Sequence, residues 1–307
     1  MSAPRYTLIK GQFYILYPDL PRNGPEPDGD TVSFLPDDDD VVRHLRRFSG
    51  IPADRRHLGT YAVRFESVDA LETHFAGHHQ DLDLARAARD LMLASLGFGA
   101  VEFQASNPNK VASAEHHPVP GYLLANGIES NGRVLALVYA GEPDLGVGDG
   151  RRVFVDGPLL DASVNVALVR AGLAYGELYS TMPLALIHRM RDLVHEARAV
   201  STGLWPAETV STTSSAPFTG VDDLSTTVMF PKLYRRLVSY FTGGAADLAG
   251  FDAWVRADPV HRDDRALLPT GESGHLHDLY EVTPAGLRLT YAPEDVVFDS
   301  DPVAPTP

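Results

Sequence analysis

Residues 61–72 read YAVRFESVDALE. Tyr61, Val63 and Phe65 alternate with Arg64 and Glu66, the period of two that marks a half-buried strand reaching to Val68. Two carboxylates, Asp69 and Glu72, follow at its exit. Working outward toward the N-terminus, Asp37–Asp40 is a run of like charge that reads as a solvated loop. Asp30–Leu35 is a short strand, and Thr7–Tyr17 is a longer one that ends at a cluster of Pro, Gly and Asp. Outward in the other direction, Gln80–Leu96 has the spacing of an amphipathic helix, with Leu84, Ala88, Leu91 and Ser95 stacked and Gly97 as its stop.

Val101–Gln104 and Gly132–Tyr139 read as further strands. Pro158–Ala171 is expected as a helix that opens on Pro and closes at Gly172. Pro183–Ser201 repeats the arrangement, with Ser180 or Thr181 as its cap and Gly203 after the last turn. Strands first and helices at the edges suit an α+β, OB-like layout better than βαβ alternation. The Ser/Thr-rich stretch Val210–Pro217 reads as a linker. Beyond it, Pro231–Phe241 is expected to be helical, Phe251–Val255 a short helical turn and Leu287–Tyr291 a strand. Residues 301–307 read as a frayed tail.

Composition sets limits. The chain has 307 residues, 44% of them apolar and 22% charged, as ordinary globular proteins do. The longest apolar runs, such as Val134–Ala140, are far too short to cross a bilayer as a helix. No secretory pattern is visible in Met1–Tyr14, so a cytoplasmic location without a membrane partner is the expectation. With no cysteine there is no disulfide, thiolate metal site or Cys nucleophile. The formal charge is −15, and Lys10, Lys110 and Lys232 are the only lysines. Global charge therefore opposes a polyanion, and any grip on phosphate has to be local, through a few arginines and a bound cation.

Hydrolysis of a phosphodiester by water needs a cation or Arg on the non-bridging oxygens, a base for the water and stabilisation of the leaving oxygen. Asp30, Arg64, Asp69, Glu72 and Arg133 form a matching set. Asp28-Gly29-Asp30-Thr31-Val32, Arg64 with Asp69-Ala70-Leu71-Glu72, and Gly132-Arg133 followed by Leu137-Val138-Tyr139 resemble the signatures of the staphylococcal nuclease family. Val164-Asn165 with Leu168-Val169-Arg170-Ala171-Gly172-Leu173-Ala174 resembles that family's second helix, and the spacing to Gly203-Leu204-Trp205 also matches. The likeness covers about residues 7–207.

The resemblance implies a five-stranded OB-fold barrel with three helices over residues 1–207; the Ser/Thr-rich composition sets a linker over 208–220, and a small C-terminal α/β unit over 221–300 is left unexplained by the likeness. It implies a calcium-dependent nuclease acting on DNA or RNA. Asp30, Asp69 and the backbone carbonyl of Ala70 are then the calcium ligands, and few protein oxygens leave room for water and a phosphate oxygen. Glu72 is the general base. Arg64 and Arg133 clamp the phosphate, because a guanidinium offers paired donors and stays charged. Tyr179 is a candidate substrate contact. The chain departs from the family at Ala70-Leu71, where Thr-Pro is usual, at Ser130-Asn131, and at Leu178 and Ser180, which fall where phosphate-contacting tyrosines are expected.

Singly, each residue has a plainer reading: Arg64 as a strand residue paired with Glu66, Asp69 and Glu72 as a strand end and turn cap, Arg133 as a hairpin residue. The alternative function is an inactive OB module that binds single-stranded nucleic acid or protein. His74, His78 and His79 read as a mobile polar loop in preference to a metal site, and His116, His117, His275 and His277 as surface residues. Gly146, Gly148 and Gly150 read as a hairpin loop. Trp205, Tyr234 and Trp254 read as core residues in preference to base-stacking platforms.

Overall fold

The computed structural model describes residues 5–300, so the expected tail over 301–307 lies outside the described residues. The chain divides into two compact units, one of residues 1–66 and 88–168, the other of 67–87 and 169–307.

The first unit is a closed barrel of five strands. They are β1 (Arg5–Tyr14), β2 (Thr31–Pro36), β3 (Tyr61–Phe65), β4 (Val119–Ile128) and β5 (Val134–Ala140). β1 pairs antiparallel with β2, β2 with β3, β5 with β4 and β4 with β1, while β3 and β5 run parallel. Antiparallel neighbours joined through one parallel pair give an α+β, OB-like barrel. Phe13, Phe34, Val63, Phe65 and Leu123 lie on one face of the strands by register, are shielded from water and fill its interior, while Leu8, Leu124 and Leu137 are buried on the other face.

Closure requires close backbone approach. A Cβ at Gly11 would stand 2.1 Å from the Leu35 carbonyl oxygen, and one at Gly121 would stand 2.2 Å from the Phe13 ring. β4 is not evident in the sequence, because Pro120, Gly121 and Gly127 look like punctuation there. The hairpin Val101–Gln104 with Asn107–Ala114 lies outside the barrel.

Three expectations for this unit need correction. The Gly146–Gly150 stretch does not turn a hairpin: the strand after it, Arg152–Phe154, pairs with β1. The helix expected over Pro158–Ala171 is two helices, Gly157–Asp161 and Val164–Arg170. Ser163 divides them. Its hydroxyl donates to the Leu160 carbonyl at 2.7 Å and accepts the Val166 N–H at 3.2 Å, so its side chain ends one helix and caps the next. His117 is half-buried, with Nε2 facing the N–H groups of Ile15 and Leu16 at 3.3 and 3.4 Å; burial pushes its imidazole below the ordinary value.

Asn165 begins the second of those helices and does more than its position suggests. Its amide donates to the carbonyls of Glu66 and Ala136 at 2.9 and 3.2 Å and accepts the Val138 N–H at 3.0 Å. The side chain thereby joins the β3 exit to β5.

The second unit opens with the strand Val68–Ala70, antiparallel to Ala174–Gly176. Helices Leu184–Ala199, Pro231–Thr242 and Phe251–Arg256 follow. The first begins after Pro183 with no side-chain cap, so neither Ser180 nor Thr181 serves there; their hydroxyls meet Ser300 instead. Leu178–Tyr179 runs parallel to Val297–Phe298 in one sheet, which continues through Arg265–Leu267 to Ser273–His275. In the stretch read as a linker, Ser215–Ala216 pairs with Leu287 and Arg288, and Val210 is fully buried. Trp205 and Tyr234 are core residues of this unit. Among the described residues, no helix is long and apolar enough to cross a membrane.

Candidate functional site

Each unit holds part of the set picked out from the sequence. In the barrel, Asp30 stands at the entrance to β2 and Arg64 lies on β3, where it is the register partner of Thr31. The Asp30 carboxylate and the Arg64 guanidinium form an ion pair, both nearly buried at 5% and 8% exposure. The backbone leads Asp30 into place through a short turn, in which its N–H donates to Asp28 Oδ1 at 3.4 Å. Thr31 extends the cluster, donating from Oγ1 to Asp30 Oδ1 at 3.1 Å and facing Arg133 Nη1 at 3.5 Å.

Arg133, just before β5, is held by Glu129, a residue that sequence reasoning passed over. Its Nε donates to Glu129 Oε1 at 3.2 Å, its Nη2 to Oε2 at 3.4 Å, and its backbone N–H to Oε1 at 3.0 Å. Burial pushes the Glu129 carboxyl up, but the adjacent guanidinium outweighs it and holds the group below the usual carboxylate range. The i−4 spacing from Glu129 to Arg133 was the available signal. The plainer pairing of Arg64 with Glu66 is not what forms. The Glu66 carboxylate is fully buried and accepts from the Asn126 amide.

In the second unit, Asp69 lies in the middle of the strand Val68–Ala70, opposite Tyr175, and is fully shielded from water. Arg235, from the helix Pro231–Thr242, forks onto it: Nη1 donates to Oδ1 at 3.1 Å and Nη2 to Oδ2 at 3.0 Å. The same Nη1 reaches Glu72 Oε1 at 2.6 Å. Burial works against the Arg235 charge, but Asp69, then Glu72 and Glu177, outweigh it and hold the guanidinium firmly protonated. Gln80 fixes the turn that presents Glu72. Its Oε1 accepts the Glu72 N–H at 3.1 Å, and its amide donates to the Met229 carbonyl at 2.9 Å.

A second cation extends the network. Lys232 Nζ lies 3.2 Å from Glu177 and 3.4 Å from Asp264, and Arg236 Nη2 donates to Asp264 at 2.9 Å. Burial raises the Asp264 carboxyl, but Lys232 and Arg236 together outweigh it and leave the group depressed. Tyr179, the candidate substrate contact, belongs to this network. Its hydroxyl donates to Glu177 Oε1 at 2.8 Å, and Lys232 Nζ lies 5.3 Å from its ring. Lys232, Arg235 and Arg236 sit at i, i+3 and i+4, so one helix face carries three cations. In a chain with few basic residues, that pattern was a signal the sequence offered.

The segment between Glu72 and Gln80 is an ordered turn, where a mobile loop was expected. Phe75 and His78 exchange backbone hydrogen bonds at 2.6 and 2.9 Å across Ala76 and Gly77, both at positive φ. His79 Nδ1 contacts the Gln80 carbonyl at 2.8 Å, and His74 Nδ1 contacts Thr73 Oγ1 at 2.9 Å. His275 and His277 are also more than surface residues; both are partly buried, and His277 pairs with Asp263 at 2.6 Å.

The donor set chosen for calcium consists of hard oxygens, carboxylate and carbonyl, which are the right type for that ion. Asp69 fits less simply, since both of its oxygens already serve Arg235. An ion there would share those oxygens with the guanidinium through their remaining lone pairs, against the repulsion of its charge. No family model matches this chain, and no curated protein matches it either.

Proposed function

We propose that the protein is a calcium-dependent nuclease of the staphylococcal nuclease type, hydrolysing phosphodiester bonds of DNA or RNA. The observation that supports this most is the cluster on the barrel, where Asp30, Arg64 and Arg133 meet around Thr31 at the ends of adjacent strands. In this reading Asp30, Asp69 and the Ala70 carbonyl hold the ion, which when bound contributes positive charge beside the scissile phosphate. Glu72 accepts the proton of the attacking water. Arg64 and Arg133 donate to the non-bridging oxygens as charge grows on them, an interaction strongest in the transition state. Asp30 and Glu129 hold the two guanidinium groups until substrate arrives.

The second reading is an OB module without catalysis that binds single-stranded nucleic acid or protein, and the fork of Arg235 on Asp69 favours it. An experiment separates the two: single-stranded DNA incubated with the full chain in calcium, then in chelator, for wild type, Glu72→Gln and Arg64→Ala. The nuclease reading expects cleavage that stops in chelator. It expects each substitution to lower kcat by about 100-fold or more, as loss of a transition-state contact does. Binding without cleavage under any divalent ion would establish the second reading in its place.

A further inference from the structure

Next in the chain to Asp264 of that network, Asp263 meets His275 and His277 in the second unit, so that one ligating atom from each lies within 4.8 Å of the other two. Local backbone sets all three. His275 ends the strand Ser273–His275, in register with Arg265. His277 lies in the helical turn Leu276–Leu279 that follows directly. Asp263 ends a turn in which its N–H donates to the Asp258 carbonyl at 3.0 Å. Asp263 is 3% exposed, and its Oδ1 accepts the His277 N–H at 3.0 Å while Oδ2 faces His277 Nδ1 at 2.6 Å.

We propose that Asp263, His275 and His277 form a binding site for a first-row transition dication of the zinc type. Three observations carry the assignment. The rings of His275 and His277 are stacked, 5.4 Å apart and inclined by 9°, which brings two imidazoles to one carboxylate. A plain Asp–His hydrogen bond accounts for His277, while the His275 ring, which caps the turn Leu276–Leu279, is brought against the same carboxylate.

The second is the donor chemistry. Two imidazole nitrogens and one carboxylate oxygen form a borderline set that suits zinc and its neighbours, whereas calcium prefers oxygen alone. The third is the outer partner. His277 Nε2 lies 3.3 Å from Asp278 Oδ1, and Asp278 Oδ2 accepts the His275 N–H at 2.9 Å. With Nδ1 of His277 on the ion, Nε2–H donates to Asp278, the carboxylate–imidazole–metal arrangement that orients a ligating ring. His275 also accepts the Asp278 N–H through its ring, and the ion replaces or spares that contact according to which nitrogen it takes. Three protein ligands leave a coordination position open to water or to a substrate atom.

The test uses the full chain, stripped with chelator and titrated by calorimetry with Zn²⁺ and, separately, Ca²⁺. Co²⁺ serves as an absorbing substitute. The site predicts one Zn²⁺ per chain with micromolar or tighter affinity, no calcium uptake that His275→Ala alters, and visible ligand-field bands with Co²⁺. His275→Ala and His277→Ala should each weaken Zn²⁺ binding at least tenfold, and His116→Ala, at an exposed position, should leave it unchanged. His277 also holds Asp263, so if its alanine variant fails to fold, the partly exposed His275 decides. Zinc affinity and cobalt bands that persist in folded His275→Ala would mean adventitious binding to other histidines and would overturn the proposal.

Discussion

At the scale of single residues, the two buried carboxylates Asp69 and Glu66 obey opposite rules. Asp69 faces a bidentate guanidinium, so removing Arg235 takes two charge-assisted hydrogen bonds from a carboxylate in a water-free position. Arg235→Ala should cost about 3 kcal/mol in urea unfolding, the usual penalty for breaking a buried pair from one side. If Asp69 is a calcium ligand, saturating calcium should stabilise this variant more than the wild type; equal stabilisation of both would remove Asp69 from the ligand set.

Glu66 is governed by burial instead of a cation. Removal from water pushes its carboxyl up to about 7, and the hydrogen bonds from Asn126 and Tyr6 only partly offset that. The folded chain therefore holds a proton there that the unfolded chain releases nearer pH 4.5. Stability contributed by the protonated form is complete below pH 4.5 and is lost as pH rises through 7. The loss amounts to about 3 kcal/mol at pH 8, because each tenfold difference in proton affinity between the folded and unfolded chain is worth roughly 1.4 kcal/mol. Glu66→Gln should flatten that slope in unfolding curves measured from pH 5 to 8; an unchanged slope would mean the carboxylate is hydrated.

At the scale of elements, what is local was legible and what depends on distant neighbours was not. The alternation of Tyr61, Val63 and Phe65 is a property of adjacent residues, and β3 lies where it indicates. Asp30, Arg64 and Arg133 stand out by residue type and through the family resemblance, whereas the ion pair between Asp30 and Arg64 comes from the pairing of β2 with β3. β4 escaped because its glycines answer to partners far away in sequence: Gly121 leaves room for the Phe13 ring, and Gly127 for the Arg46 carbonyl oxygen, which a Cβ would meet at 2.7 Å. Arg235 escaped for the same reason, since no spacing rule ties position 235 to position 69. Asn165 shows how one side chain completes an element. Asn165→Ala would leave the Val138 N–H and the Glu66 carbonyl short of a partner, while the Ala136 carbonyl keeps the Glu66 N–H at 2.9 Å. A cost of about 3 kcal/mol in chemical denaturation is expected from buried polar groups left unsatisfied. A loss below about 0.5 kcal/mol would show that water replaces the amide.

At the scale of the whole molecule, charge is the governing quantity. A net −15 repels a polyanion at long range, so in the nuclease reading attraction is confined to the two arginines of the barrel cluster. Counterion release from so few contacts is small. The logarithm of single-stranded DNA affinity against the logarithm of salt should have a slope of about −1 to −2, set by roughly 0.7 per phosphate engaged. A slope steeper than about −4 in a filter-binding or fluorescence titration would reveal a broad basic surface and refute the two-arginine grip.

The path of the backbone through the two compact units has a consequence for biosynthesis. Residues 67–87 belong with 169–307, although the ribosome delivers them well before the rest of that unit. Asp69 leaves the exit tunnel long before the helix that carries Arg235, and it spends that interval without the guanidinium it is paired with in the finished protein. Nascent chains arrested before residue 231 therefore lack the guanidinium that this carboxylate meets in the finished protein, and the second unit is completed only after its later residues have followed.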